Sequence, residues 1–240
     1  MRRFYAPPES FAHGIVTLDE DETRHLRDVL RLRTGDEIAV FDGLGNEFSV
    51  RIHTISKKTA VGEIGERLQP SAPESPVALT LAAVVIPGDK YDLVIQKAVE
   101  LGVTRLVPLS SVRSEVKIKD LPKKLPRWRR IALDAAKQCG RATLMAIDEP
   151  AEVIEFLGRG HGASELLFFS ERAGAALPDL KEPKSIAVVI GPKGGWEDAE
   201  IETAKRHDFS VVTLGGRIMR AETAAIALTA ILQHRYGDIN

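Results

Sequence analysis

Several features that would place a chain quickly are scarce in this one. It holds a single cysteine, Cys139, among 240 residues, which excludes an internal disulfide framework and fits a reducing compartment. Cys139 sits in a helical run and reads as packing rather than as a nucleophile. Charge of one sign is also missing: 33 Lys and Arg against 34 Asp and Glu leave a formal net charge of -1, which argues against a protein that coats nucleic acid by bulk charge. Contact with a polyanion would need local patches. Apolar runs are short, the longest lying around Leu81 to Ile86, far below a membrane span. The opening MRRFYAPPES carries positive charge with no apolar stretch behind it, so it does not read as a secretory signal. A cytoplasmic protein without a membrane partner is expected. The six histidines show neither HExxH spacing nor cysteine partners, so no metal is expected.

What the chain does have is a pair of glycine-rich loops near its end. Gly191-Pro192-Lys193-Gly194-Gly195 follows the β-branched run Ile186 to Ile190, and Gly215-Gly216-Arg217-Ile218-Met219-Arg220 follows Val211 to Leu214 and leads into AETAAIALTAILQHRY. Both loops therefore fall after buried strands and before helices, at the edge of an α/β sheet where ligands bind. Neither is a P-loop, because the spacing to Gly-Lys-Ser/Thr is wrong, and no G-x-G-x-x-G opens a first βα turn. The G-x-G of Gly43-Leu44-Gly45 lies between two short strand-like runs and reads as a hairpin turn. One glycine loop would be read as a tight turn with helix capping; two at adjacent strand ends are read as a site.

Organisation follows from periodicity. Asp21 to Leu30 has an acidic first turn and an apolar stripe that suit a short helix. Ile38 and Val40, then Phe48, Val50 and Ile52, alternate with polar residues as in a small antiparallel barrel or sheet. Gln69 to Pro76 has three prolines in eight residues and reads as a linker. Beyond it, strand candidates (77–86, 106–107, 144–147, 166–169, 186–190, 211–214) alternate with helix candidates (91–101, 126–138, 151–157, 198–207, 221–236). That alternation implies a mostly parallel sheet with helices on both faces. The expected division is a first domain over 1–70, a linker over 71–76 and a second domain over 77–240.

The motif IGPKGGW with Glu200 behind it, then LGGRIMRAETA, resembles the C-terminal signature of the RsmE-type methyltransferases of the SPOUT superfamily. The likeness continues through DKYDLVIQKAVELGV, PLSSVRSEVK, RWRRIALDAAKQCGR and, near the amino terminus, MRRFY and HLRDVLRLRTGDEIAVFDG. It covers almost the whole chain. Two departures stand out: Lys193 replaces the Glu usual in the first loop, and Met145 stands where proline is common. The resemblance implies a trefoil-knotted sheet preceded by a PUA-like barrel. It also implies S-adenosyl-L-methionine as cofactor, methylation of a uridine N3 in 16S ribosomal RNA of the small subunit, and a homodimer.

Carried onto these residues, the resemblance assigns cofactor binding to Ile190, Gly191, Gly194, Gly195, Leu214, Gly215, Ile218, Met219, Arg220 and Ala221. Glycines there let the main chain approach a ligand, and Leu214, Ile218 and Met219 serve either as apolar walls or as core. Arg220 is the candidate for stabilising the anion that develops on uridine. Glu222 has two readings, a proton acceptor if burial raises its pKa or a partner of the helix dipole; the second is preferred, as capping is for Thr223. For RNA contact the candidates are Arg2, Arg3, Arg27, Arg31, Arg113, Lys117, Arg127 and Arg141. Trp128 and Tyr5 lie near them as possible platforms for unstacked bases.

Overall fold

The computed structural model describes residues 1–159 and 162–239. They form two compact units, one of residues 1–74 and 136–144 and the other of 75–135 and 145–240. The boundary between 74 and 75 falls inside the proline-rich stretch expected as the linker. The return of 136–144 to the first unit is not visible in the periodicity.

The first unit carries a six-stranded sheet in the order β1-β4-β5-β6-β3-β2. Its strands are β1 (Arg3–Tyr5), β2 (Phe11–Ala12), β3 (Ile15–Leu18), β4 (Glu37–Phe41), β5 (Glu47–Ile55) and β6 (Ala60–Leu68). All neighbours are antiparallel except β1 with β4. The predicted alternation sends Ile38, Val40, Val50 and Ile52 into one core with Phe4, Val16, Leu18 and Leu26, and Gly43 and Gly45 lie in the connection between β4 and β5 as expected for a hairpin. The predicted helix over 21–30 is α1 (Glu20–Arg24), capped by Asp19, which accepts from the Glu22 N–H at 2.8 Å, and then a π-turn over His25–Val29.

The second unit is built on a fully parallel sheet of β7 (Ala78–Val84), β8 (Arg105–Ser110), β9 (Ala146–Ile147), β10 (Ala151–Glu152), β11 (Glu165–Phe169), β12 (Ser185–Ile190) and β13 (Ser210–Val212). The order is β10-β8-β7-β12-β11-β13, and β9 and β10 pair with successive halves of β8. Its helices are α2 (Lys90–Glu100), α3 (Leu125–Cys139, whose residues 136–139 belong to the first unit), α4 (Val153–Leu157), α5 (Asp198–Arg206) and α6 (Ala221–Tyr236). The helix expected over 151–157 starts two residues later, because Ala151 and Glu152 pair with Leu109 and Ser110. β12 is buried over Ile186 to Ile190, as a central parallel strand between two helical layers must be. On one face Ala82, Val84, Val107, Leu109, Phe168 and Val189 meet Phe156 of α4 and Ile201 and Ala204 of α5 in a single core. α2 packs on α6, which also touches β7 and β12.

Buried charge explains why 136–144 joins the first unit. Arg3 donates to Glu47 Oε1 and Oε2 at 2.9 and 3.0 Å and to the carbonyls of Ala136, Lys137 and Arg141 at 3.0, 3.1 and 3.2 Å. It thereby satisfies carbonyls left open at the end of α3. Lys137 is paired with Glu22 at 2.6 Å and Arg141 with Glu74 at 2.6 Å. Arg3 and Arg141, read from the sequence as RNA contacts, are thus internal: their side chains are 13% and 4% exposed. A guanidinium committed to buried acceptors is unavailable to a phosphate. Trp128, read as a base platform, is likewise buried, against Tyr91 at a 5.0 Å ring separation, and Tyr5 leans on Phe41.

Candidate functional site

β11, β12 and β13 run parallel side by side, so the segments that follow them emerge at one edge of the sheet. There they enclose a cavity of about 420 Å³ lined by residues 169–171, 190–193, 196, 214–221, 224 and 228. This is the size of a small-molecule site.

The floor is set by Trp196. Its indole is fully buried, its Nε1 donates to the Phe169 carbonyl at 2.7 Å, and its ring lies 4.5 Å from that of Phe168. A Cβ on residue 191 would come within 2.8 Å of that indole, so Gly191 answers to tryptophan packing as well as to any ligand. The loop then enters α5 through a reciprocal capping box of Glu197 and Glu200. Glu200 is buried, and while its Oε2 accepts from the Glu197 N–H at 2.9 Å, its Oε1 accepts from the Val112 N–H at 3.2 Å. Arg113 donates to Glu197 at 2.8 Å and to the Gly194 carbonyl at 3.0 Å. Arg172 donates to Asp198 at 2.6 Å and to the Trp196 carbonyl at 2.8 Å, and that hydrogen bond holds the Asp198 carboxyl below its ordinary pKa.

The second loop is open. Gly215, Gly216, Arg217, Ile218 and Arg220 are all exposed, Ile218 at 89%. Nothing lies within 4 Å of a Cβ built on Gly215 or Gly216. Among the described residues no side-chain hydrogen bond or ion pair ties down Arg217 or Arg220; the Arg220 carbonyl accepts from the Ala224 N–H at 2.8 Å. Arg220 is the N-cap of α6 and offers no side-chain cap, while Thr223, expected to cap, lies exposed within the first turn. Burial pushes the Glu222 pKa up. The backbone N–H of its own residue, Lys90 at 3.4 Å and the charge of Arg220 outweigh that and leave it below the ordinary carboxylate value. Glu222 therefore lacks the raised pKa that a proton acceptor here requires, and the dipole reading fits its place.

Of the ten residues assigned to the cofactor, Ile190, Gly191, Leu214, Gly215, Ile218, Met219, Arg220 and Ala221 line the cavity, whereas Gly194 and Gly195 stand behind it. The sequence reading did not single out Ser170 and Glu171, although the rule that picked the two glycine loops, a segment leaving the carboxyl end of a parallel strand, applies equally to 166–169. Among the RNA candidates Arg2, Arg31 and Lys117 are exposed. Arg27 is paired with Asp28, Arg113 with Glu197 and Arg127 with Asp92 and Asp89. Lys193 lines the cavity and is 72% exposed, with Glu115 3.4 Å away. No cluster of metal-binding side chains occurs among the described residues, and no helix is long and apolar enough to cross a membrane.

Fold and cavity together define an α/β protein that takes a small ligand at the carboxyl edge of a parallel sheet, with a second sheet unit at its amino end. The RNA methyltransferase domain family matches residues 73–233 and the RNA methyltransferase PUA domain family residues 18–65. The chain belongs to the family of ribosomal RNA small subunit methyltransferase E. The protein of that name from Synechocystis is 33% identical over 236 residues, covering 95% of this chain and 76% of its own length. That from Buchnera aphidicola of Schizaphis graminum is 30% identical, covering 94% and 93%. The crystal structure of the Neisseria gonorrhoeae protein bound to S-adenosyl methionine superposes with a TM-score of 0.90 at 35% identity over 100% of both chains. A Legionella pneumophila structure with bound SAM gives 0.89 at 32%, over 99% and 98%.

Proposed function

We propose that this chain methylates N3 of a uridine in 16S ribosomal RNA of the small ribosomal subunit, in the cytoplasm, with S-adenosyl-L-methionine as methyl donor. The observation that carries the reading is the cavity between the two glycine loops, in a family named for small-subunit ribosomal RNA and with relatives solved with this cofactor bound. The residues present suit that ligand. Leu214, Ile218, Met219 and Leu228 give apolar wall to an adenine, and the open backbone at Gly215 and Gly216 admits close approach.

When bound, S-adenosyl-L-methionine supplies an electrophilic methyl group on a sulfonium. Uridine N3 carries a proton and is a poor nucleophile until it leaves, so the chain must stabilise the resulting anion. Arg220, exposed at the mouth and without an internal partner, turns to uridine O2 or O4 and does so. Glu222 stays with Lys90 and the amino end of α6, and the N3 proton passes to solvent. RNA phosphates are held by Arg2, Arg31 and Lys117. They are held too by Arg27 and Arg127, whose exposed, solvent-screened ion pairs are weak and give way to phosphate. The first unit, PUA-like, contributes Arg2, Arg27 and Arg31 to that grip.

The working form in this reading is a homodimer. α6 carries apolar side chains on more than one face, with Ile226, Ala230 and Ile231 half-buried, so it needs more cover than one sheet gives. Light scattering should return twice the 26.3 kDa of one chain. The decisive assay incubates the protein and labelled S-adenosyl-L-methionine with small subunits from a strain lacking it, followed by nucleoside mass spectrometry. Methyl on uridine N3 is expected; methyl on a ribose 2′-oxygen or on another base would overturn the assignment.

A further inference from the structure

Among the residues that line the cavity the ionisable ones are Glu171, Lys193, Arg217 and Arg220, so a single carboxylate faces a rim of cations. Glu171 leaves the end of β11 two residues after Phe169, and its side chain is 35% exposed. Among the described residues no hydrogen bond ends on its carboxylate. The nearest cation, Arg172, stands 3.5 Å away, and its guanidinium is already donating to Asp198 and the Trp196 carbonyl. Among the described residues only the Arg172 Nε faces Glu171, at 3.5 Å from Oε1 with no hydrogen bond formed, so the carboxylate keeps lone pairs for a further donor.

The first glycine loop also passes close to this acid. Gly195 does not line the cavity, yet its φ of 71° lies in the left-handed region, and a Cβ on it would come within 2.6 Å of Glu171 Oε1 and 3.2 Å of Cδ. The last glycine of the loop is thus bare where the carboxylate sits, and any larger residue would displace it.

We propose that Glu171 is the acceptor that anchors the cofactor, taking charge-assisted hydrogen bonds from a donor group of bound S-adenosyl-L-methionine. The inference rests on the cavity being the cofactor site. The ligand brings a sulfonium and an ammonium into a rim that already holds Lys193, Arg217 and Arg220, and one fixed carboxylate offsets that repulsion while orienting the molecule. Two groups of the ligand offer donors, the ribose hydroxyls and the amino-acid ammonium, and Glu171 can serve either.

The test is calorimetry on the full chain, wild type first, with S-adenosyl-L-methionine and with 5′-methylthioadenosine, which keeps the ribose but lacks the amino-acid tail. Glu171→Gln preserves shape and removes charge; it should weaken S-adenosyl-L-methionine binding roughly ten- to a hundredfold with an unaltered melting temperature. Equal loss on both ligands assigns the ribose; loss on the first alone assigns the charged tail, and loss shared by S-adenosylhomocysteine, which keeps the ammonium without the sulfonium, assigns the ammonium. Gly195→Ala should weaken binding as well, and the double variant by less than the product of the two, because both act on the same carboxylate. Unchanged affinity in Glu171→Gln overturns the proposal. If turnover in that variant falls nonetheless and recovers as pH rises, Glu171 is a proton acceptor and not an anchor. A wild-type chain that binds neither ligand overturns the cofactor site itself, a result distinct from the failure of one variant.

Discussion

Around the first glycine loop almost every polar group has a partner: Trp196 holds a β11 carbonyl, Glu200 ties the loop to Val112, and Arg113 and Arg172 hold its carbonyls and carboxylates. The second loop faces the same cavity with two arginines whose side chains have no hydrogen-bond or ion-pair partner among the described residues, an isoleucine at 89% exposure and glycines with empty space beside them. Similar composition thus serves different ends. Residues whose groups are satisfied within the fold report on stability, while residues left unsatisfied at a cavity mouth report on what arrives there. Changes in the first loop should unsettle the fold, and changes in the second should spare the fold and alter chemistry or binding.

Trp196→Ala should break the contrast most severely. It removes a fully buried indole and its hydrogen bond, and chemical denaturation should show about 3–5 kcal/mol lost. A loss below about 1 kcal/mol would mean that the first loop is not the rigid wall described. Arg220→Ala sharpens the other side: single-turnover rate should fall roughly 10²–10³-fold, with stability and cofactor affinity nearly unchanged. An unaltered rate would make Arg220 a phosphate contact only. Lys193→Glu restores the residue usual in the family at the border of the two regimes. Since its partner Glu115 is a loose surface neighbour, folding should not change, and S-adenosyl-L-methionine affinity in calorimetry should rise as one rim cation becomes an anion.

Glu222 gives the smallest effect. Its pKa is lowered in the folded chain, so its stabilisation is present at neutral pH, above the unfolded value, and is lost as pH falls through the folded value. Glu222→Gln should cost about 0.3–1 kcal/mol at pH 7, remove that acid-side dependence and leave turnover near normal. A large rate loss rescued by rising pH would return the carboxylate to the reaction.

Much of this could be read in the sequence. The apolar runs 186–190 and 166–169 became strands within a residue of their expected bounds, and α6 has the bounds expected for it, because a stretch buried on two faces and a long alanine-rich helix are written in local composition. Eight of the ten residues that the sequence assigns to a cofactor line the cavity for a related reason: a glycine loop behind a parallel strand must emerge at the sheet's carboxyl edge. Side-chain commitments were not legible. Arg3 and Arg141 look like Arg2 and Arg31 in a sequence, and whether a guanidinium meets solvent or Glu47, Glu74 and the end of α3 depends on residues up to 138 positions away. Glu171 escaped notice for the same reason, since its neighbour Gly195 is 24 positions on.

By itself, then, the sequence determined the order of strands and helices, the two-part organisation and the position of both glycine loops, since each follows from periodicity and turn chemistry within a few residues. Tertiary structure alone decided which loop is locked and which is open, which arginines are structural, that Glu222 is held by Lys90, and that Glu171 joins the cavity. Those outcomes depend on burial and on partners distant in the chain, and a charged group's chemistry is set by its surroundings rather than by its name.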